Sequence, residues 1–299
     1  MLATLVKEPS QQPGWVYEEK YDGYRILAHK EGGNVTLLSR NAKDRTDHFG
    51  AIARAVSALP HQTLLLDGEV VAFDRSGVSR FQLLQNLAST LHYAVFDCLY
   101  VDGRDLRAEP LKSRRAALEK ILGKPSGKHP TLFVSARLAD DGLKAYEIAK
   151  RKGFEGVVAK DESSRYIQGR SNKWLKFKVK QEDEFVVVGY TAPAGAREHF
   201  GALLLAAHQG ESLKYVGKVG TGFSQETLAK LFRKFRPLVR GKPPVIDPPR
   251  ERGVTWLAPR LVAQIAYEEF TDYRKLRQPV FLGLRDDKRA EEVTLPDAP

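Results

Sequence analysis

Lys20 ends an alternating, largely apolar run, Trp15-Val16-Tyr17-Glu18-Glu19, and is followed by Tyr21-Asp22-Gly23-Tyr24-Arg25. A lysine amine set among acidic and basic neighbours can serve as a covalent nucleophile once it is held unprotonated. A free lysine, with a pKa of about 10.4, offers no lone pair at neutral pH. The pattern K-x-D-G-x-R is short, and alone it fits equally a strand end that turns through Asp-Gly with its charges in water. Whether chemistry occurs here depends on what the rest of the chain brings to the lysine.

The elements that must do so can be read from periodicity and turn residues. Residues 15–19 alternate as a strand, and residues 26–29 and 35–38 read as strands around the turn Glu31-Gly32-Gly33-Asn34. Asp47 is placed to cap a helix carrying Phe49, Ile52, Ala53, Val56 and Leu59, which Pro60 ends. A buried strand over 64–73, interrupted at Asp67-Gly68-Glu69, is followed by a short helix near 81–87 and a strand over 93–99. Helices over 112–122 and 143–152 stop at Gly123 and Gly153, and strands over 156–159 and 174–179 close this half.

From about Lys180 to Asp183 the pattern changes to short glycine-punctuated strands at 184–190, 202–207 and 213–218, a barrel-like spacing. Ser224 is placed to cap a helix reaching Phe235, and a proline-rich loop over 241–249 leads to strands near Thr255 and over 262–267.

A chain of 299 residues with 42% apolar composition can bury one large core or two ordinary ones. No apolar run nears the ~20 residues that span a bilayer, and the N-terminus has no signal-type segment, so the chain reads as a cytoplasmic protein with no membrane partner. The single Cys98 excludes an internal disulfide framework and a zinc cluster and reads as a core residue. A formal net charge of +11 suits a polyanionic partner such as nucleic acid.

Six further clusters follow the first in order: Ser39-Arg40-Asn41, Leu66-Asp67-Gly68-Glu69-Val70, Phe96, Glu155-Gly156-Val157-Val158-Ala159-Lys160, Trp174-Leu175-Lys176-Phe177-Lys178 and Leu284-Arg285-Asp286-Asp287-Lys288. This ordered set resembles the covalent nucleotidyltransferases, the superfamily of DNA ligases, RNA ligases and capping enzymes. Its wording, especially 38–41, 67–71 and 281–288, is similar to the bacterial ATP-dependent DNA ligases of the repair and end-joining type. The resemblance runs over nearly the whole chain. It implies an α+β protein: a nucleotidyltransferase (ATP-grasp-like ligase) domain over 1–182 with antiparallel sheets and flanking helices, then an OB-fold β-barrel over 183–299.

The resemblance also implies roles. Lys20 attacks the α-phosphate of ATP and carries AMP, passes it to the 5′-phosphate of nicked DNA, and a 3′-hydroxyl then displaces AMP. Lys176 and Lys178, alternate residues of one strand, face the phosphate and disfavour a protonated Lys20. Glu155 is the expected ligand of Mg²⁺ or Mn²⁺, and Glu69 a ligand of ribose, metal or both. Phe96 is the base-stacking candidate, Glu18 the acceptor for the adenine amino group, Arg25 and Arg40 the phosphate or ribose forks, and Lys160 a further nucleotide-binding position. Arg285 and Lys288 are expected to orient the β- and γ-phosphates through domain closure.

The expected partners are nicked or broken duplex DNA and end-joining or other repair proteins, with the enzyme a monomer. Lys20 lies so near the N-terminus that no room is expected for an additional DNA-binding domain. Lys214, Lys218, Arg233, Lys234 and Arg236 are candidates to follow a phosphate backbone. An RNA ligase or capping guanylyltransferase of the same superfamily, or a non-catalytic nucleic-acid-binding protein, are the competing readings; the NAD-dependent ligases, which carry a zinc cluster that one cysteine cannot build, are disfavoured.

Overall fold

Alternation and turns build the strands that carry Lys20. In the computed structural model, β1 (Leu2–Leu5) and β2 (Trp15–Lys20) are followed by the hairpin of β3 (Tyr24–Glu31) and β4 (Asn34–Ser39). Then come α1 (Gly50–Ser57), β5 (Thr63–Val71), β6 (His92–Val101), β7 (Arg104–Asp105), α2 (Leu111–Leu122), β8 (Leu132–Val134) and β9 (Arg137–Ala139). Helix α3 (Gly142–Lys152), β10 (Gly156–Asp161) and β11 (Arg170–Lys178) complete the first of two units, Met1–Lys180 and Gln181–Pro299. The structure describes residues 1–295 apart from 7, 10, 86–88, 124–129, 180, 194–197 and 252.

The first unit holds two sheets. One has the order β1-β11-β10-β2-β9, antiparallel except for the β1–β11 pair. The other runs β4-β3-β5-β6-β7, with β8 joining β6 in parallel. Ile26, Ala28, Leu66, Val70, Tyr93 and Val95 of the second sheet form a buried cluster with Ile52 and Val56 of α1 and Leu118 of α2. Burying this face supplies the main stabilisation at roughly 25 cal/mol per Å² of apolar area.

Several local expectations give way to tertiary packing. Asp47 is exposed and caps nothing: a turn covers 46–49, and α1 starts at Gly50 behind Phe49, without a side-chain cap. Phe49 is 1% exposed, and its burial beside Tyr24 fixes where the helix begins. The strand read as interrupted at Asp67-Gly68-Glu69 is continuous; the irregularity is a pair of register shifts against β6. The helix near 81–87 is a 3-10 turn over Phe81–Gln85, and Leu87 lies outside the described residues. Asp141 caps α3 by accepting from Lys144 N at 2.8 Å, and Gly153 ends it in the left-handed conformation.

The second unit is a sheet of β12 (Glu182–Thr191), β13 (Leu203–Gln209), β14 (Ser212–Val219), β15 (Val239–Arg240), β16 (Val254–Ala266) and β17 (Val280–Leu284), with α4 (Gln225–Phe235) between β14 and β15. Pairing runs β14-β13-β12-β16, β17 continues from β16, and a bridge between Thr221 and Val280 returns the series to the end of β14. Ser224 caps α4, accepting from Thr227 N at 3.1 Å. The strands expected separately near Thr255 and over 262–267 are one strand, β16. Its pairing with β12 skips from Leu261 to Trp256, and Pro259, which has no N–H to give a ladder, falls in that bulge. Among the described residues, no helix is long and apolar enough to cross a membrane.

Candidate active site

The register of β2, β10 and β11 decides which side chains share a face. Three rows result: Lys20, Gly156 and Lys178; Glu18, Val158 and Lys176; Val16, Lys160 and Trp174. Tyr17, Val157, Ala159, Leu175 and Phe177 point the other way and cluster with Ala145 and Ala149 of α3. A period of two thus gives the same three strands one charged face and one face that is apolar apart from Glu19.

Gly156 keeps the space between the two lysines clear. A Cβ at this position would stand 2.2 Å from the Phe177 carbonyl oxygen and 3.0 Å from Lys178 Cα, so a side chain would force β10 and β11 apart. Glu155, one residue earlier, forms an ion pair with Lys20. Its own carbonyl accepts from Val179 N at 2.9 Å, which ties the acid to the end of β11.

The turn after Lys20 is held by its motif residues. Asp22 accepts from Phe81 N at 2.9 Å, and its own N–H donates to Ser79 Oγ at 3.0 Å. Gly23 lies against β5, where a Cβ would meet the Val70 carbonyl oxygen at 2.2 Å. Asp22 and Gly23 therefore shape the backbone beside the lysine.

The second sheet supplies a facing wall. Arg25 stands opposite Glu69 in register and forks onto Asp67 at 3.0 and 2.6 Å. Tyr166 Oη also donates to Asp67, at 2.8 Å. Glu69 sits within β5 rather than at a strand end, so its position comes from the pleat and not from strand termination. Phe96 joins the two walls: the Arg25 guanidinium carbon is 5.5 Å from its ring centre, Lys160 Nζ 4.5 Å, and Trp174 meets it edge-on at 5.8 Å. Lys160 Nζ is also 4.4 Å from the Trp174 ring, and the Trp174 indole nitrogen is buried without a hydrogen-bond partner.

Glu18 is 3% exposed and accepts from three donors: Arg115 at 2.9 Å, Ser135 Oγ at 2.5 Å and Lys160 Nζ at 2.7 Å. Burial pushes its carboxyl up, but Lys160, Arg115 and the Ser135 hydrogen bond outweigh it and hold the group below the usual carboxylate range. Burial pushes the Lys160 ammonium down, with Glu18 opposing. Behind them Arg114, fully buried, forks onto Asp97 at 2.7 and 2.8 Å and donates to the Glu109 and Ser164 carbonyls. Cys98 is fully buried, and burial pushes its thiol up to about 12, in keeping with a core role.

The fold thus brings Lys20, Glu18, Lys160, Lys176 and Lys178 onto one sheet face and Arg25, Glu69 and Phe96 onto the other sheet, with Glu155 paired to Lys20. Arg40 lies in the exposed turn one residue past Ser39, which pairs with Ile26. Arg285 and Lys288 belong to the second unit. There Arg285 forks onto Asp287 at 2.9 and 2.8 Å and donates to Gln264 at 3.0 Å, while Lys288 lies 3.3 Å from Glu184. Arg285 directly follows β17 and is 9% exposed.

Arg114 and Arg115 went unread in the sequence, yet it carried a signal. Leu111, Arg114, Arg115 and Leu118 form the i, i+3, i+4, i+7 stripe that a helix buries, so two arginines occupy apolar-phase positions. Ser135 left no such trace.

Two sheets joined through Phe96 that carry lysines, arginines and carboxylates on their strands have the architecture of the nucleotidyltransferase class. The chain belongs to the ATP-dependent DNA ligase family: the ATP dependent DNA ligase domain matches residues 1–178, and the ATP dependent DNA ligase C terminal region matches residues 196–288. It is 42% identical to the multifunctional non-homologous end joining protein LigD of Pseudomonas aeruginosa, over 98% of this chain and 36% of that protein. It is 32% identical to a DNA ligase of Thermococcus onnurineus, over 97% of this chain and 55% of that one.

Among solved structures, a mycobacterial DNA ligase D complexed with ATP and MES superposes with a TM-score of 0.72 at 34% identity, covering 99% and 98% of the two chains. The ligase domain of M. tuberculosis LigD gives 0.52 at 34% identity, covering 98% of each. The chain spans 36–39% of the length of the end-joining relatives from Pseudomonas, Mycolicibacterium and Mycobacterium.

Proposed function

We propose that this chain joins 5′-phosphate and 3′-hydroxyl ends in duplex DNA, at nicks or breaks, using ATP through an adenylate carried on Lys20. The row Lys20, Gly156, Lys178, with Glu155 paired to Lys20, is the observation that carries this reading. In the first step Lys20 Nζ forms a bond to the α-phosphorus of ATP while the bond to the bridging oxygen of the β-phosphate breaks and pyrophosphate leaves. AMP then passes to the DNA 5′-phosphate, freeing Lys20, and the 3′-hydroxyl displaces AMP to form the phosphodiester.

Lys176 and Lys178 stand where positive charge offsets that gathered on the phosphate oxygens, the largest single contribution expected in phosphoryl transfer. Arg25 and Glu69 face the sugar and phosphates, and Phe96 offers a ring to the base. Glu155 and Glu69 present the hard oxygens that Mg²⁺ or Mn²⁺ accepts with retained waters, and two carboxylates suffice where substrate phosphates complete the shell. Such an ion, when bound, would neutralise developing charge on the transferring phosphate.

Intact mass and label transfer from α-³²P-ATP test this. Wild-type protein is expected to gain one AMP and to seal nicked duplex, and Lys20→Ala to do neither. An adduct formed only with GTP would favour the capping reading, and sealing by the Lys20→Ala variant would overturn the assignment. End-joining proteins, among which its relatives are counted, are the partner class this reading favours, and the same sealing assay on blunt or broken ends tests it.

A further inference from the structure

We propose that Arg115 and Ser135 are positioning residues that select adenine over guanine, by fixing Glu18 so that one acceptor position remains open to the base; the inference rests on the adenylation reading above. An ionised carboxylate offers two oxygens and about four lone-pair positions. Glu18 Oε2 receives Ser135 Oγ at 2.5 Å and Lys160 Nζ at 2.7 Å, and Oε1 receives Arg115 at 2.9 Å. Three positions are filled, and no other described residue donates to the fourth, on Oε1.

The carboxylate cannot turn to offer a different pattern. Arg115 is itself pinned, donating to the Ser135 carbonyl at 2.5 Å and to Glu119 at 3.0 Å, so the helix, the β8–β9 link and β2 are locked to one another through Glu18. Glu18 also borders the aromatic corner, because the Lys160 ammonium that it binds lies over both Phe96 and Trp174. A base stacked on Phe96 therefore presents an edge toward a fixed acceptor. Adenine offers its 6-amino group as donor. Guanine offers a 6-oxo oxygen, and two acceptors face each other with neither satisfied. A carboxylate free to rotate could instead reach the N1–H of guanine, and Arg115 and Ser135 deny it that freedom.

Lysyl-nucleotide formation from α-³²P-ATP and α-³²P-GTP, with kcat and KM measured separately, tests the proposal in wild type, Ser135→Ala, Arg115→Lys, Arg115→Met and Glu18→Gln. The ATP-over-GTP ratio in kcat/KM is expected to fall about tenfold in Ser135→Ala and further in Arg115→Met, mostly through KM, with Arg115→Lys recovering part of it. Glu18→Gln, whose amide can also donate, is expected to bring the two nucleotides closest. Unchanged discrimination in folded Ser135→Ala and Arg115 variants overturns the proposal while leaving the ligase reading intact. If Arg115→Met fails to fold, Ser135→Ala decides, since losing one hydroxyl leaves the packing in place. A wild type labelled by neither nucleotide overturns the ligase reading and this inference together.

Discussion

Lys20 and Glu155 form an ion pair across the junction of β2 and β10, although one lies near the start of the chain and the other beyond its middle. Replacing Glu155 with Gln keeps the volume and removes the charge. Adenylate formation on Lys20 is expected to fall at least about a hundredfold, the scale of losing one charge-stabilising group in a phosphoryl-transfer site. Label transfer from α-³²P-ATP at saturating Mg²⁺ measures it, and near-normal labelling would remove Glu155 from the site.

Gly156 is expected to tolerate no side chain. Gly156→Ala drives a methyl into the Phe177 carbonyl region, so strand separation costs about 2 kcal/mol and displaces Lys178. Denaturant midpoints give the stability change, and adenylation should fall further than stability alone explains. An alanine variant with normal midpoint and normal labelling would contradict the spacing argument.

Asp97 holds Arg114 in the interior, where burial pushes its carboxyl up in spite of the guanidinium fork. Asp97→Asn leaves a buried guanidinium without its counter-charge, a loss expected at about 3–5 kcal/mol. Asp97→Leu combined with Arg114→Met is expected to be less harmful than Asp97→Asn, because it removes both charges. Urea melts of the two variants give the comparison.

Glu19 lies on the opposite side of β2 from the site, with Oε1 buried and unpartnered. Burial raises its carboxyl to about 8 from an ordinary 4.5, with Lys152 and a Ser79 hydrogen bond offsetting part. The folded protein keeps a proton there that the unfolded chain releases, so this group makes stability decline as pH rises from about 4.5 to 8 and leaves it level above. Melting temperatures of wild type and Glu19→Gln across pH 5 to 9 should show a shallower decline in the variant; parallel curves would rule out the contribution.

Exposed cations on α4 and just beyond it, Lys230, Arg233, Lys234 and Arg236, lie opposite the buried stripe of Leu228, Leu231 and Phe235. Binding to nicked duplex is expected to weaken with salt, and Arg233→Glu with Lys234→Glu to lower the slope of log affinity against log salt by about two. Fluorescence anisotropy at several salt concentrations tests this, and an unchanged slope would place the DNA on another surface.

Much of this protein was legible because its strands alternate. The period of two in 15–20 and 174–178 forecast which residues share a face, Ser224 marked a helix start through a side chain that accepts from a backbone N–H three residues on, and Gly153 marked a helix end through the left-handed backbone that glycine adopts freely. The short strands β1, β7, β8 and β9 carried too little pattern to be seen, and β16 hid behind Pro259. Asp47 misled because a cap works only if the helix begins beside it, and the burial of Phe49 placed that start elsewhere.

The sequence by itself determined the family and the order of its motifs, and it singled out Lys20 as the candidate nucleophile, since each motif is a local run of residues whose types follow from its chemistry. Only the tertiary structure decided that Gly156 separates Lys20 from Lys178, that Asp67 takes Arg25, and that Arg115, Ser135 and Lys160 converge on Glu18. Those relations depend on strand register and on a helix packed across a sheet, and such long-range pairings leave no periodic signal in the chain that makes them.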